Sequence, residues 1–61
     1  MKRTYKYELQ VYCGGWWQSR GHYYTRNEAW QDVADMRHNG DPYRHFKHRV
    51  IISDNPYIEE I

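Results

Sequence analysis

The feature that most constrains this chain is an unbroken alternation near its start. From Thr4 to Cys13, the residues Tyr5, Tyr7, Leu9, Val11 and Cys13 fall on one side, and Thr4, Lys6, Glu8, Gln10 and Tyr12 on the other. Side chains of an extended chain point to opposite faces with a period of two, so this pattern predicts a β-strand with one face committed to a core. Gly14-Gly15 follows at once. Two adjacent residues that accept positive φ are what a two-residue hairpin turn requires, and Trp16 to Tyr24 then resumes an aromatic, strand-like run. An antiparallel hairpin is expected. Gly21, inside the second strand, marks a weak point or a bulge and leaves the register between Trp17 and Tyr23 open.

Thr25-Arg26-Asn27-Glu28 fits a capping box, in which the threonine hydroxyl accepts the Glu28 N–H and the glutamate reaches back to Thr25. A helix should start there. Its apolar stripe is Ala29, Trp30, Val33, Ala34 and Met36, with Asn27, Gln31, Asp32, Asp35 and His38 on the remaining circumference. Asn39-Gly40 supplies a left-handed stop, and Asp41-Pro42 prevents continuation. A third strand is expected over Tyr43 to Ser53, with Phe46, His48, Val50 and Ile52 on one face and His45, Lys47, Arg49 and Ile51 on the other; the β-branched run Val50-Ile51-Ile52 favours it.

The order strand, strand, helix, strand makes the helix a crossover, so the second and third strands run parallel with the first between them. The expected fold class is α+β: a ββαβ chain forming a three-stranded antiparallel sheet of order 2-1-3, with one helix over the Tyr7, Leu9, Val11 face. The opposite face, carrying Lys6, Glu8, Gln10 and Tyr12, is left open. Residues 1–61 read as one domain, with a folded body over 4–53 and a C-terminal tail over 54–61. That tail mixes acidic and apolar residues, and either docks on the body or reaches for a partner.

A chain of 61 residues buries only about 60% of its unfolded surface, which argues against a large substrate cavity. The single Cys13 excludes an internal disulfide and a multi-cysteine zinc site, and reads as a reduced thiol. No apolar run approaches the length of a membrane span, and Met1-Lys2-Arg3 is not followed by the apolar stretch of a signal peptide. The expectation is a cytoplasmic protein with no membrane partner.

Catalytic and metal chemistry find little support in the spacing. His45 and His48, three apart on a strand, face opposite ways, and His38 sits where a helix dipole favours its charge. Cys13 and His22 across the hairpin supply only two of the four ligands of a structural zinc site. Gly14-Gly15 opens no helix and so forms no phosphate loop. Cys13 has no histidine placed to act as its base, and Asp32 and Asp35 read as the solvated side of the helix. No enzyme activity, cofactor or metal is expected.

The aromatic content points instead to binding. Seven tyrosines, three tryptophans and a phenylalanine exceed what so small a core can bury, even with Trp30 as its plug and Trp16 or Trp17 beside it. Trp, Tyr and Arg are the residues that most often carry interface energy. They concentrate in Trp16-Trp17-Gln18-Ser19-Arg20 and in Tyr43-Arg44-His45-Phe46-Lys47-His48-Arg49. The expected partner-binding residues are Tyr12, Trp16, Trp17, Arg20, Arg44, Lys47 and Arg49, and the expected partner is a protein or protein complex. The alternative is a nucleic acid or small nucleotide, held by stacking rings and arginines. The near balance of nine bases against eight acids argues against it. Exposed strand edges also allow a homodimer.

The hairpin, the Thr25-Arg26-Asn27-Glu28-Ala29 helix start and the single final strand resemble small bacteriophage proteins that block host enzymes or defence complexes. The resemblance spans roughly Tyr5 to Ile52 and lies in element order, with no motif carried over residue by residue. It implies an inhibitor without chemistry of its own, acting in the host cytoplasm by occluding a partner surface, anti-CRISPR and other anti-defence roles included.

Overall fold

β1 (Lys2–Cys13) lies in the middle of a three-stranded antiparallel sheet, between β2 (Trp16–Tyr23) and β3 (His48–Glu60), with α1 (Arg26–Asn39) crossing one face. The structure is a computed structural model and describes residues 1–61. The sheet order 2-1-3 follows from the crossover, as the sequence predicts. Gly14 and Gly15, at φ 67° and 88°, make the hairpin turn, and the Gln18 amide staples it by donating to the Cys13 carbonyl at 3.1 Å.

Register decides what shares a face. Leu9 pairs with Gly21 and Gln10 with Ser19, so Arg20 is the extra residue of a bulge beside Gly21. On the other side Leu9 pairs with Val50, Gln10 with Arg49 and Val11 with His48. The helix-covered face therefore carries Leu9, Val11, Val50 and His48, and the open face carries Glu8, Gln10, Tyr12, Trp17, His22, Arg49 and Ile51.

The core is small. Leu9 and Ala29 are fully buried, Val11 and Val33 nearly so, and Tyr23, Met36 and Val50 pack against the Leu9, Ala29, Val33 cluster. The helical contribution is thus Ala29, Val33 and Met36, a stripe at i, i+4 and i+7. Trp30, expected to plug the core, stands about 100° around the helix from Ala29 and is 45% exposed, while Ala34 is exposed as well. Arg26 extends the stripe at i−3 and lays its guanidinium over the Tyr7 ring, 5.0 Å from the centroid.

Both ends of α1 are fixed locally. Thr25, in extended conformation, accepts the Glu28 N–H at 3.2 Å, so the threonine half of the expected capping box is formed. Gly40, at φ 73°, is the left-handed stop, and its N–H returns to the Met36 carbonyl.

The third strand differs from expectation at both ends. It begins at His48 rather than Tyr43, because the preceding backbone is spent on turns. Asp41 Oδ1 accepts the Tyr43 N–H at 2.8 Å, Arg44 N–H bonds the Asp41 carbonyl, and Phe46 N–H bonds that of Tyr43. At the other end residues 54–60, read in the sequence as a tail, continue the strand. After an irregularity opposite Lys6, Tyr57 pairs with Tyr5, Ile58 with Thr4, Glu59 with Arg3 and Glu60 with Lys2.

A fourteen-residue helix is about 21 Å long, whereas the molecule extends 37 Å along its longest axis. α1 therefore covers only the part of the sheet that includes β2. Beyond Tyr7, β1 and β3 continue as a two-stranded ribbon, and Tyr57 and Ile58 stay exposed.

Two polar groups on the core side give testable consequences. Both ring nitrogens of His48 are shielded from solvent and have no hydrogen-bond partner. Leaving such atoms unpaired costs about 1–3 kcal/mol, so His48→Leu is expected to gain on the order of 1 kcal/mol and raise the melting temperature by roughly 4–8 °C. A calorimetric melt checks it, and a lower Tm would mean that His48 has a partner. The Tyr23 hydroxyl donates to Asp32. Burial first, then that hydrogen bond and the Asp32 charge, push the phenol well above its usual 10. A folded pKa above the unfolded one adds stability that is complete below pH 10 and is lost as pH rises beyond it. Urea titrations at pH 8 and pH 11 should therefore show a larger alkaline loss in the native protein than in Tyr23→Phe.

Candidate functional site

The open face is wired by one continuous polar chain. It starts on β3, where Ser53 Oγ accepts the Asn55 N–H at 3.1 Å and donates to Glu8 Oε1 at 3.2 Å. His22 Nε2 on β2 lies 3.2 Å from both Glu8 Oε1 and Ser53 Oγ. Glu8 Oε2 accepts from the Gln10 amide, whose oxygen accepts from Arg49 Nε at 2.7 Å. Arg49 then crosses β1 and lays its guanidinium over the Trp17 ring, 4.2 Å from the centroid, and Trp17 meets Tyr12 edge to face at 5.3 Å. Six side chains from three strands, those of Ser53, His22, Glu8, Gln10, Trp17 and Tyr12, thus order one arginine.

That order has chemical consequences. Arg49 uses only Nε within the protein, and no carboxylate lies within ion-pairing distance of it. The four N–H bonds on its two terminal nitrogens remain available, in the planar fork that takes a carboxylate bidentately. Around it stand the half-exposed ring of Tyr12 and the exposed Lys47, whose carbonyl accepts the Tyr12 N–H at 2.9 Å. The cluster is a preset cation on an aromatic bed, with its side-chain entropy already lost before any partner arrives.

Of the seven residues singled out in the sequence, Tyr12, Trp17, Lys47 and Arg49 come together here. Trp16 is 67% exposed at the hairpin tip, paired with Cys13 and therefore of the opposite parity to Trp17. Arg20 and Arg44 lie elsewhere. The bulge turns Arg20 toward the α1–β3 loop, where it stacks on Tyr43 at 4.9 Å and pairs with Asp41 at 3.6 Å. Arg44 donates to the carbonyls of Gly40 and Asp41 at 3.1 and 3.0 Å, closing the helix C-terminus. Both arginines hold the loop that delivers β3. Alternation places Glu8 and Gln10 on the open face and His22 is considered only beside Cys13, but none of these, nor Ser53, is singled out in the sequence as a binding residue; only the register across three strands brings the four into line.

Ser53, His22 and Glu8 together have the composition of a hydrolytic triad, and the geometry is different. In a relay, the serine and the carboxylate meet opposite nitrogens of the imidazole. Here both meet Nε2, and the Ser53 hydroxyl gives its proton to Glu8. The group acts as a cross-strand lock. The Cys13 and His22 pair considered across the hairpin is also separated. Cys13 pairs with Trp16 and His22 with Glu8, five residues apart along β1, or about 17 Å.

No helix is long and apolar enough to cross a membrane. No protein-family model, curated protein or solved structure matches the chain. The class defined by fold and site together is a small ββαβ domain presenting an ordered aromatic and guanidinium cluster on a bare sheet face.

Proposed function

We propose that this chain is a non-catalytic protein-binding module that occludes a partner surface through Tyr12, Trp17, Lys47 and Arg49, in the manner of small bacteriophage inhibitors of host enzymes or defence complexes. The observation that carries the reading is the state of Arg49: stacked on Trp17, fixed by Gln10, and without a carboxylate of its own. Its complement is an acidic side chain at the edge of an apolar protein surface, where desolvation on the indole would make the ion pair strong. The charge on this face is too thin for a polyanion, since Arg20 and Arg44 are committed to the α1–β3 loop and Glu8 lies in the same network. Its place of action is the cytoplasm of a host cell. The outer edges of β2 and β3 are unpaired and offer a second copy a route to extend the sheet.

The test is capture from bacterial lysate with tagged protein, with and without nuclease, followed by mass spectrometry. One stoichiometric protein retained through nuclease treatment supports the reading. Recovery of nucleic acid alone, or of nothing above background, contradicts it.

A further inference from the structure

We infer that the cleft between the N-terminal half of β1 and the first turn of α1 binds a nucleotide phosphate, free or within a single strand. The cleft exists because β2 stops at Tyr23, opposite Tyr7, so no strand pairs with residues 2–6 of β1 on that side, while the chain turns at Tyr24 and Thr25 to start the helix above. It is an open groove of about 790 Å³ rather than an enclosed cavity, within the size range of small-ligand sites. It lies at the other end of the molecule from the Trp17 and Arg49 cluster, and its argument is independent of the protein-binding reading.

The lining is one-signed. Lys2, Arg3, Lys6 and Arg26 contribute to it and no carboxylate does. Lys6 is a residue that simple alternation assigns to the open face. The register shift between Tyr5 and Tyr7 leaves it unpaired in the ladders, and its ammonium sits over the Tyr7 ring at 5.4 Å. Arg26 covers the same ring at 5.0 Å. Neither cation has a carboxylate within 4.0 Å, so two unneutralised charges converge on one tyrosine. The acids on neighbouring elements are Glu60, 3.7 Å from Lys2, Glu59, paired with Arg3 across the ladder, and Glu28 in the first helical turn; none lines the cleft.

Two further features favour a nucleotide over a bare anion. Tyr24, under Arg3 at 5.5 Å, forms a wall of the cleft and is 52% exposed, leaving ring area on which a base can stack. The first-turn N–H groups of α1 add positive potential at the same end. Lys6 and Arg26 hold the phosphate, Arg3 extends the contact along a strand, and Tyr24 takes the base.

The experiment is fluorescence anisotropy with a labelled ten-residue oligothymidylate, alongside calorimetry with ATP, on the full chain. Three phosphate contacts predict a slope of log K against log salt of about −2 for a single strand, falling toward about −0.7 in Lys6→Ala/Arg26→Ala, with at least about a tenfold loss at low salt. Arg37→Ala, which removes a cation outside both the cleft and the Tyr12, Trp17, Lys47 and Arg49 cluster, should leave binding within about twofold. Lys6→Glu, an exposed change that disturbs no hydrogen bond, repeats the loss if the double variant is unfolded by circular dichroism. Binding of the oligonucleotide but not ATP assigns the site to a strand, and binding of ATP alone assigns it to a free nucleotide; either supports the inference. Absence of binding to both, equal binding by the cleft variants, or equal competition by polyglutamate overturns it.

Discussion

Leu9→Ala is expected to leave little folded protein at 25 °C. Leu9 is fully buried at the centre of β1, between Gly21 on one side and Val50 on the other, under Ala29 and Val33. Truncating a leucine in such a site costs about 3–5 kcal/mol, the transfer energy of the lost methyl groups plus the cavity they leave. A domain of this length has roughly 3–9 kcal/mol in all. Few other side chains are available to share the loss, because only Leu9, Val11, Ala29 and Val33 are buried. Near-ultraviolet circular dichroism should show the tryptophan signal collapsing and the cooperative melt disappearing. A variant that melts cooperatively within about 5 °C of the native protein would place the core elsewhere.

Arg49→Ala is expected to abolish partner capture while leaving the fold intact. The side chain lies on the exposed face; its stack on Trp17 contributes about 0.5–1 kcal/mol and its hydrogen bond to Gln10 about 0.5–1.5 kcal/mol, so the domain should lose no more than about 2.5 kcal/mol in stability. At the interface the same truncation removes both the charge and the cover of the indole. Central arginines and tryptophans of this kind cost 2 kcal/mol or more, which is about 30-fold in affinity. Arg49→Lys is the sharper variant. It keeps the charge, but an ammonium cannot bond Gln10 through Nε, lie flat on Trp17 and present a fork to a carboxylate at once. It should behave nearly as badly as alanine. Full activity of the lysine variant would reduce the role of Arg49 to that of a point charge.

The hairpin, the helix limits and the sheet order were all legible in the chain because each rests on short-range chemistry: alternation, Gly14-Gly15, the Thr25 cap and the Gly40 stop. What the sequence left open depends on register. The segment from Tyr43 to Phe46 looks like strand by composition, and the Asp41 side chain, by capturing the Tyr43 N–H, together with the turn bonds of the Arg44 and Phe46 N–H groups, removes it from the ladder. Trp30 looks like core by type, yet Ala29, Val33 and Met36 already fill the narrow contact between helix and sheet. Alternation carried Lys6 to the open face and residue type nominated Arg20 for it, and in each case a bulge sends the residue elsewhere. Trp17 and Arg49 could be nominated from residue type alone. Their meeting across β1, on strands that are not neighbours, required the register of both ladders.

The most direct test of the central claim is the affinity of the captured protein for the native chain, Trp17→Ala, Arg49→Ala and the remote Arg37→Ala, measured by calorimetry at 50 and 300 mM salt. An aromatic protein interface predicts loss of about 30-fold or more for the two open-face variants, no change for Arg37→Ala, and only modest salt dependence. Equal affinity of all four chains would contradict the assignment of the face, and a steep loss with salt would contradict the class of partner.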